Sequence, residues 1–101
     1  MKTLTAACAA LLLSAGSAPA QDTSTDITCN LVAMLAENSM TARQNGVALS
    51  RLLEAVSDAA IGREIALAAY ERQRYSSPTV RQREIEDFRD QWHVECLRAA
   101  E

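Results

Sequence analysis

Residues Ser77 to Ala100 read SPTVRQREIEDFRDQWHVECLRAA, and this stretch decides the fold. Ser77 followed by Pro78 is a helix start: the hydroxyl can accept from an unpaired backbone N–H, and proline sits where its missing N–H is not needed. Behind it Ile85, Phe88, Trp92, Cys96 and Ala99 recur at helical spacing and mark one narrow apolar face. The positions between them are mostly charged or amide-bearing, from Arg81 and Gln82 to Asp90 and Gln91. The stripe carries the only Phe and the only Trp of the chain. It is expected to form the main wall of a small core, not an active site.

Earlier segments show the same helical period. Thr25 or Asp26 can cap a helix from Ile27 to Asn45 with inner positions Cys29, Val32, Ala36 and Met40, and Gly46 suits the left-handed position that ends it. Val47 to Leu49 is a short apolar connection. Ser50 is then expected to cap a brief helix from Arg51 to about Ser57. Asp58 is the next capping residue, opening a helix through Ile61, Ile65, Ala68 and Ala69 to about Gln73, with Gly62 as an alternative place for the break. No segment alternates apolar and polar long enough to make a strand. The fold class expected is all-α, a small orthogonal or antiparallel bundle of about four helices.

Residues 1–20 are read as an export leader. Lys2 precedes the apolar run from Leu4 to Ala15, and Ala18-Pro19-Ala20 supplies the small-x-small cleavage pattern. The run is too short to cross a bilayer, so no transmembrane segment is expected once it is removed. Cleavage leaves a polar tail, residues 21–26, and a single helical domain, 27–101. It also removes Lys2, the one lysine, from a chain whose formal net charge is already −3. A small acidic chain of this kind is not expected to bind nucleic acid.

Of three cysteines, Cys8 leaves with the leader. Cys29 and Cys96 remain in an exported chain, where disulfides persist. A bridge between them would join the first helix to the last as antiparallel neighbours and contribute roughly 4 kcal/mol. Two buried thiols are the competing reading. A metal pair is disfavoured, because the chain has one His and no C-x-x-C.

Catalytic motifs are missing: there is no G-x-S-x-G, H-E-x-x-H, phosphate-binding loop or dinucleotide fingerprint. His93 lies beside Trp92 on the flank of the stripe and reads as a partly buried structural residue. No cofactor, metal or enzymatic activity is expected. One run stands out: R-Q-R-Y-S-S-P-T-V-R-Q-R, Arg72 to Arg83, holds four arginines and no acid in an acidic chain. Arg72, Arg74, Tyr75, Ser77, Arg81 and Arg83 there form a candidate site for an anion or an acidic partner, beside the N–H groups of a helix start. The alternative is a turn whose arginines pair with acids elsewhere. Exchanging Arg74 and Arg81 for Gln is expected to leave the fold intact, since neither is on the apolar stripe.

The pattern Cys29, Met40-x-x-Arg43-Gln44-x-Gly46, Ala69-Tyr70-Glu71, Gln82-x-x-x-Glu86-x-Phe88, Cys96 resembles small exported proteins of proteobacteria, marine ones especially, and of their phages. That family brings no assigned activity, so the resemblance implies export, helicity and the two-cysteine frame. A weaker likeness is to the periplasmic acid-stress chaperones, which are small, helical and held by one disulfide, although their disulfide loop is shorter. The function expected is therefore a periplasmic or secreted, non-enzymatic binding protein. Its partner would be another periplasmic protein or an anionic component of the envelope. The alternative is a chaperone that exposes the Phe88 and Trp92 face in acid.

Overall fold

A computed structural model describes residues 24–56, 58 and 60–101, and the expected leader and residues 21–23 lie outside them. Four helices make up the described chain: α1 over residues 24–44, α2 over Leu49–Ala55, α3 over Ala60–Tyr70 and α4 over Pro78–Ala99. The fold is all-α, and Cys29 is bonded to Cys96 with the two Cα atoms 5.5 Å apart. Glu37 and Arg89 meet farther along the same pair of helices, so α1 and α4 run antiparallel.

Three helices build the core. Val32, Ala36 and Met40 come from α1, Ile65 and Ala69 from α3, and Ile85 and Phe88 from α4. Trp92 lies half-buried against this cluster, its ring centroid 6.2 Å from that of Phe88. Burying a side chain the size of Phe88 is worth about 2–3 kcal/mol, and Phe88 is only 1% exposed. The α4 stripe is thus one wall of the core near its middle. It weakens toward the C-terminal end, where Cys96 is half-buried and Ala99 exposed. Short α2, with Leu52 buried, is too brief to persist alone and relies on its packing against α3.

The ends of the helices show which local signals win. Ser77 caps α4 as expected, accepting from the N–H of Val80, with Pro78 in the first turn. Gly46, at φ 78°, ends α1: Val47 N–H donates to Ala42 O at 3.0 Å and Gly46 N–H to Arg43 O at 3.1 Å, a paired closure that needs a left-handed residue. The other caps differ from expectation. Helix α1 is already formed at residue 24, ahead of Thr25 and Asp26, and Thr28 Oγ1 donates back to Ser24 O. Ser50 lies inside α2, whose N-cap is Ala48 without a side-chain bond. Its first turn closes instead through Arg51 and Leu52 N–H groups on Ala48 O. Asp58 is an exposed turn residue, α2 ends at Ala55 and α3 begins at Ala60, and Gly62 is buried within α3.

On the far side of α1 the packing stops. Ile27, Leu31 and Met34 are 58%, 55% and 57% exposed. At 100° per residue they lie opposite Cys29, Ala36 and Met40.

Candidate functional site

The end of the bundle remote from the disulfide is organised around the stop of α1. Gln44 continues the inner line of Cys29, Ala36 and Met40 by one more turn, which places an amide where an apolar residue is expected, and it is fully buried. Its amide spans the α3–α4 turn: Nε2 donates to Gln73 O at 2.8 Å, and Oε1 accepts from Tyr75 N–H at 2.9 Å. Beside it Arg43 Nε donates to Arg72 O at 2.9 Å. Three backbone groups of one turn are therefore held by two neighbouring side chains. Helix α3 ends at Tyr70 in a tighter turn, with Glu71 N–H on Ala68 O and Arg72 N–H on Ala69 O, and the carbonyls of Arg72 and Gln73 beyond it are bound to α1.

Tyr70 completes the arrangement. Its hydroxyl donates to Val47 O, fixing the α1–α2 connection to the end of α3, and the Arg43 guanidinium lies 5.3 Å from its ring centre. Burial pushes the phenol above its ordinary value, while the positive charges of Arg43 and Arg74 pull the other way. Both cations sit where the last carbonyls of α1 make the potential negative, a favourable placement. Arg74 comes so close to Gly46 that a Cβ there would lie 2.8 Å from its Nη2.

The structure separates the expected arginine cluster into different roles. Arg72 turns inward along α4: Nη2 donates to Gln91 Oε1 at 2.7 Å, Nη1 lies 3.7 Å from Glu84 Oε2, and the guanidinium stacks 5.3 Å from the Phe88 ring centre. Arg81 Nε donates to Tyr75 O, so its side chain is part of the turn's own bonding. Tyr75 contributes backbone groups to Gln44 and Arg81, and its ring is half-buried. Ser77 is occupied as the α4 cap. Arg74 and Arg83 are exposed, and neither makes an ion pair among the described residues. Two residues apart on a helix, Arg81 and Arg83 diverge by about 200°. Arg83 faces a shallow hollow with Pro78, Thr79, Gln82 and Glu86. What the turn presents outward is therefore Arg74, backed by Arg43.

Comparison of the chain with protein-family models, with curated proteins and with solved structures finds no match.

Arg43, Gln44 and Tyr70 received no individual role from the sequence, although they belong to the pattern that carries the resemblance. The signal for Gln44 was its register: a polar side chain on the inner line of α1 must find buried partners. Nothing in the local sequence names those partners, which lie at Gln73 and Tyr75. His93 is half-buried on the flank of α4. Among the described residues no three His, Cys, Asp or Glu side chains are grouped to hold a metal ion. No described helix is long and apolar enough to cross a membrane.

Proposed function

We propose that this chain is a non-enzymatic binding domain that works in the periplasm or outside the cell and presents a preset basic turn to an anionic partner. The observation that supports this most is the grip on the α3–α4 turn. Its backbone is bonded to α1 at Arg72, Gln73 and Tyr75, so ordering it on binding costs little. It displays Arg74 from an otherwise acidic chain. The Cys29–Cys96 disulfide fits an oxidising compartment.

Binding is tested with the oxidised chain against vesicles containing phosphatidylglycerol and, separately, an acidic peptide. The expected result is association with one of them that weakens as salt shortens the Debye length to about 8 Å. Arg74→Gln is expected to cost on the order of 0.5–1 kcal/mol, a roughly two- to fivefold loss of affinity. Arg81 is left unchanged in this test because its side chain holds Tyr75 O. No binding to either probe, or binding indifferent to salt and to Arg74→Gln, would sink the proposal.

An acid-responsive chaperone is the second reading, favoured by one observation. Two of the ties that α4 makes to the rest of the bundle are ion pairs, Glu37 with Arg89 and Glu84 with Arg72. It predicts that an apolar dye binds and Trp92 fluorescence shifts as the pH falls toward the carboxylate range near 4. Emission unchanged through that range would rule it out.

A further inference from the structure

We infer that the outer face of α1 is a docking surface for the same face of a second copy of this chain. The surface is the line Ile27, Leu31, Met34, which recurs at intervals of four and three residues. That is the spacing at which one helix lays its side chains between those of another helix of the same kind. All three side chains are more than half exposed. They are not scattered single residues but a continuous strip on one helix, with Leu35 half-buried along its edge. Helix α1 is thus apolar on two opposite sides in its first half, and the bundle covers only one of them. A helix apolar on both sides normally has both covered.

Charge selects the occupant. The outward positions of α1 are Ile27, Asn30, Leu31, Met34, Asn38 and Thr41, with no charged residue among them, and exposed Asp26 lies on the flank at the N-terminal end. The outward positions of α4 carry Arg83, Asp87, Asp90 and Arg98, with Val94 a single apolar residue among them. Two copies of a chain with formal net charge −3 repel one another, and they approach at least cost where the surface is neutral. The strip also lacks the Lys and Arg that hold an amphipathic helix on an anionic membrane, and it offers no charge to a basic or acidic protein. The flanking Glu37 is turned toward Arg89 of α4. Asn38 follows at the next seam position. In a helix pair an uncharged amide there is tolerated and helps to set register, while shortening the apolar contact.

The contact is small. A standard interface removes about 800 Å² from each partner, and three half-exposed side chains supply less than half of that area. The pair is therefore weak, with a dissociation constant on the order of 10 μM or more. This surface lies on the opposite side of α1 from its packed face, and the inference does not depend on the function proposed for the α3–α4 turn.

Sedimentation equilibrium of the oxidised chain over a range reaching about 1 mM tests it. The expected result is a reversible doubling of mass with concentration. Leu31→Glu and, separately, Met34→Glu are expected to raise the dissociation constant at least tenfold. Helical circular dichroism and the disulfide should stay unchanged, because neither side chain belongs to the core. Val94→Glu, a substitution at an exposed apolar residue of α4, should leave the equilibrium as it was. A monomer at every concentration overturns the inference. So does association that survives both α1 substitutions, or that Val94→Glu weakens equally. Co-sedimentation of a monomeric chain with phosphatidylcholine vesicles, lost in Leu31→Glu, would give the face to a lipid surface and likewise overturn it.

Discussion

Gln44 and Ser39 stand five positions apart on α1 and are almost equally hidden from water, at 0% and 1% exposure. Their situations differ. The amide of Gln44 spends both ends on backbone groups of the α3–α4 turn, whereas Ser39 Oγ has no partner among the described residues. A satisfied buried amide specifies where the turn must lie; an unsatisfied hydroxyl only detracts. Tyr70 gives this scale its pH signature. Burial raises its pKa above the ordinary 10.0, so the folded chain holds that proton more tightly than the unfolded one. The resulting stabilisation is complete below the ordinary value and is lost as the pH climbs through the raised one. Urea melts should therefore show stability falling above pH 10. In Tyr70→Phe that component of the fall should vanish, with a loss of about 1 kcal/mol at neutral pH for the missing bond to Val47 O. An alkaline limb identical in both proteins would remove Tyr70 from the account.

At the scale of the element, the helices that carried strong periodicity and an unambiguous terminus were legible. Ser77-Pro78 opens α4 and Gly46 closes α1 because each motif answers a local need, an unpaired N–H or a left-handed residue. The short pieces were not legible. Ser50 and Asp58 have the chemistry of caps, but the start of α2 is set by Ala48 O within the turn after α1, and the turn that follows α3 is held by side chains of α1. The first is a backbone bond that names no side chain, and the bonds to the α3–α4 turn reach about 30 residues along the chain, so neither leaves a periodic trace. The arginine run was visible as a run, yet its division into Arg72 and Arg81 turned inward and Arg74 and Arg83 outward depended on Glu84, Gln91 and Tyr75 O. Gly46→Ala tests the α1 terminus. A left-handed Ala should cost about 1–2 kcal/mol, and the nearby Arg74 guanidinium, the far end of a flexible side chain, can move aside. A denaturation midpoint unaltered by the substitution would show that this closure contributes little.

Across the whole molecule, the two ends of the bundle are fastened by unlike means, a covalent bond at Cys29–Cys96 and the Gln44, Arg43 and Tyr70 bonds at the other. The covalent link closes a loop with a sequence separation of 67, which lowers the entropy of the unfolded chain by an amount worth roughly 4 kcal/mol. A domain this small has a total stability of only about 5–15 kcal/mol. Reduction, or the double change Cys29→Ala with Cys96→Ala, should bring the chain close to its unfolding midpoint at moderate temperature, as measured by circular dichroism in urea. Equal midpoints for oxidised and reduced protein would contradict this. The bridge has one further consequence. Between Cys29 and Cys96 the backbone is a covalent ring that contains α2, α3, both interhelical connections and the α3–α4 turn. A protease that severs one peptide bond anywhere in that ring opens a circle and does not release a fragment. The clipped chain keeps its two pieces tethered at the disulfide, with the core of α1, α3 and α4 still within reach of re-forming. A single nick in that ring is then an injury that leaves the chain in one piece.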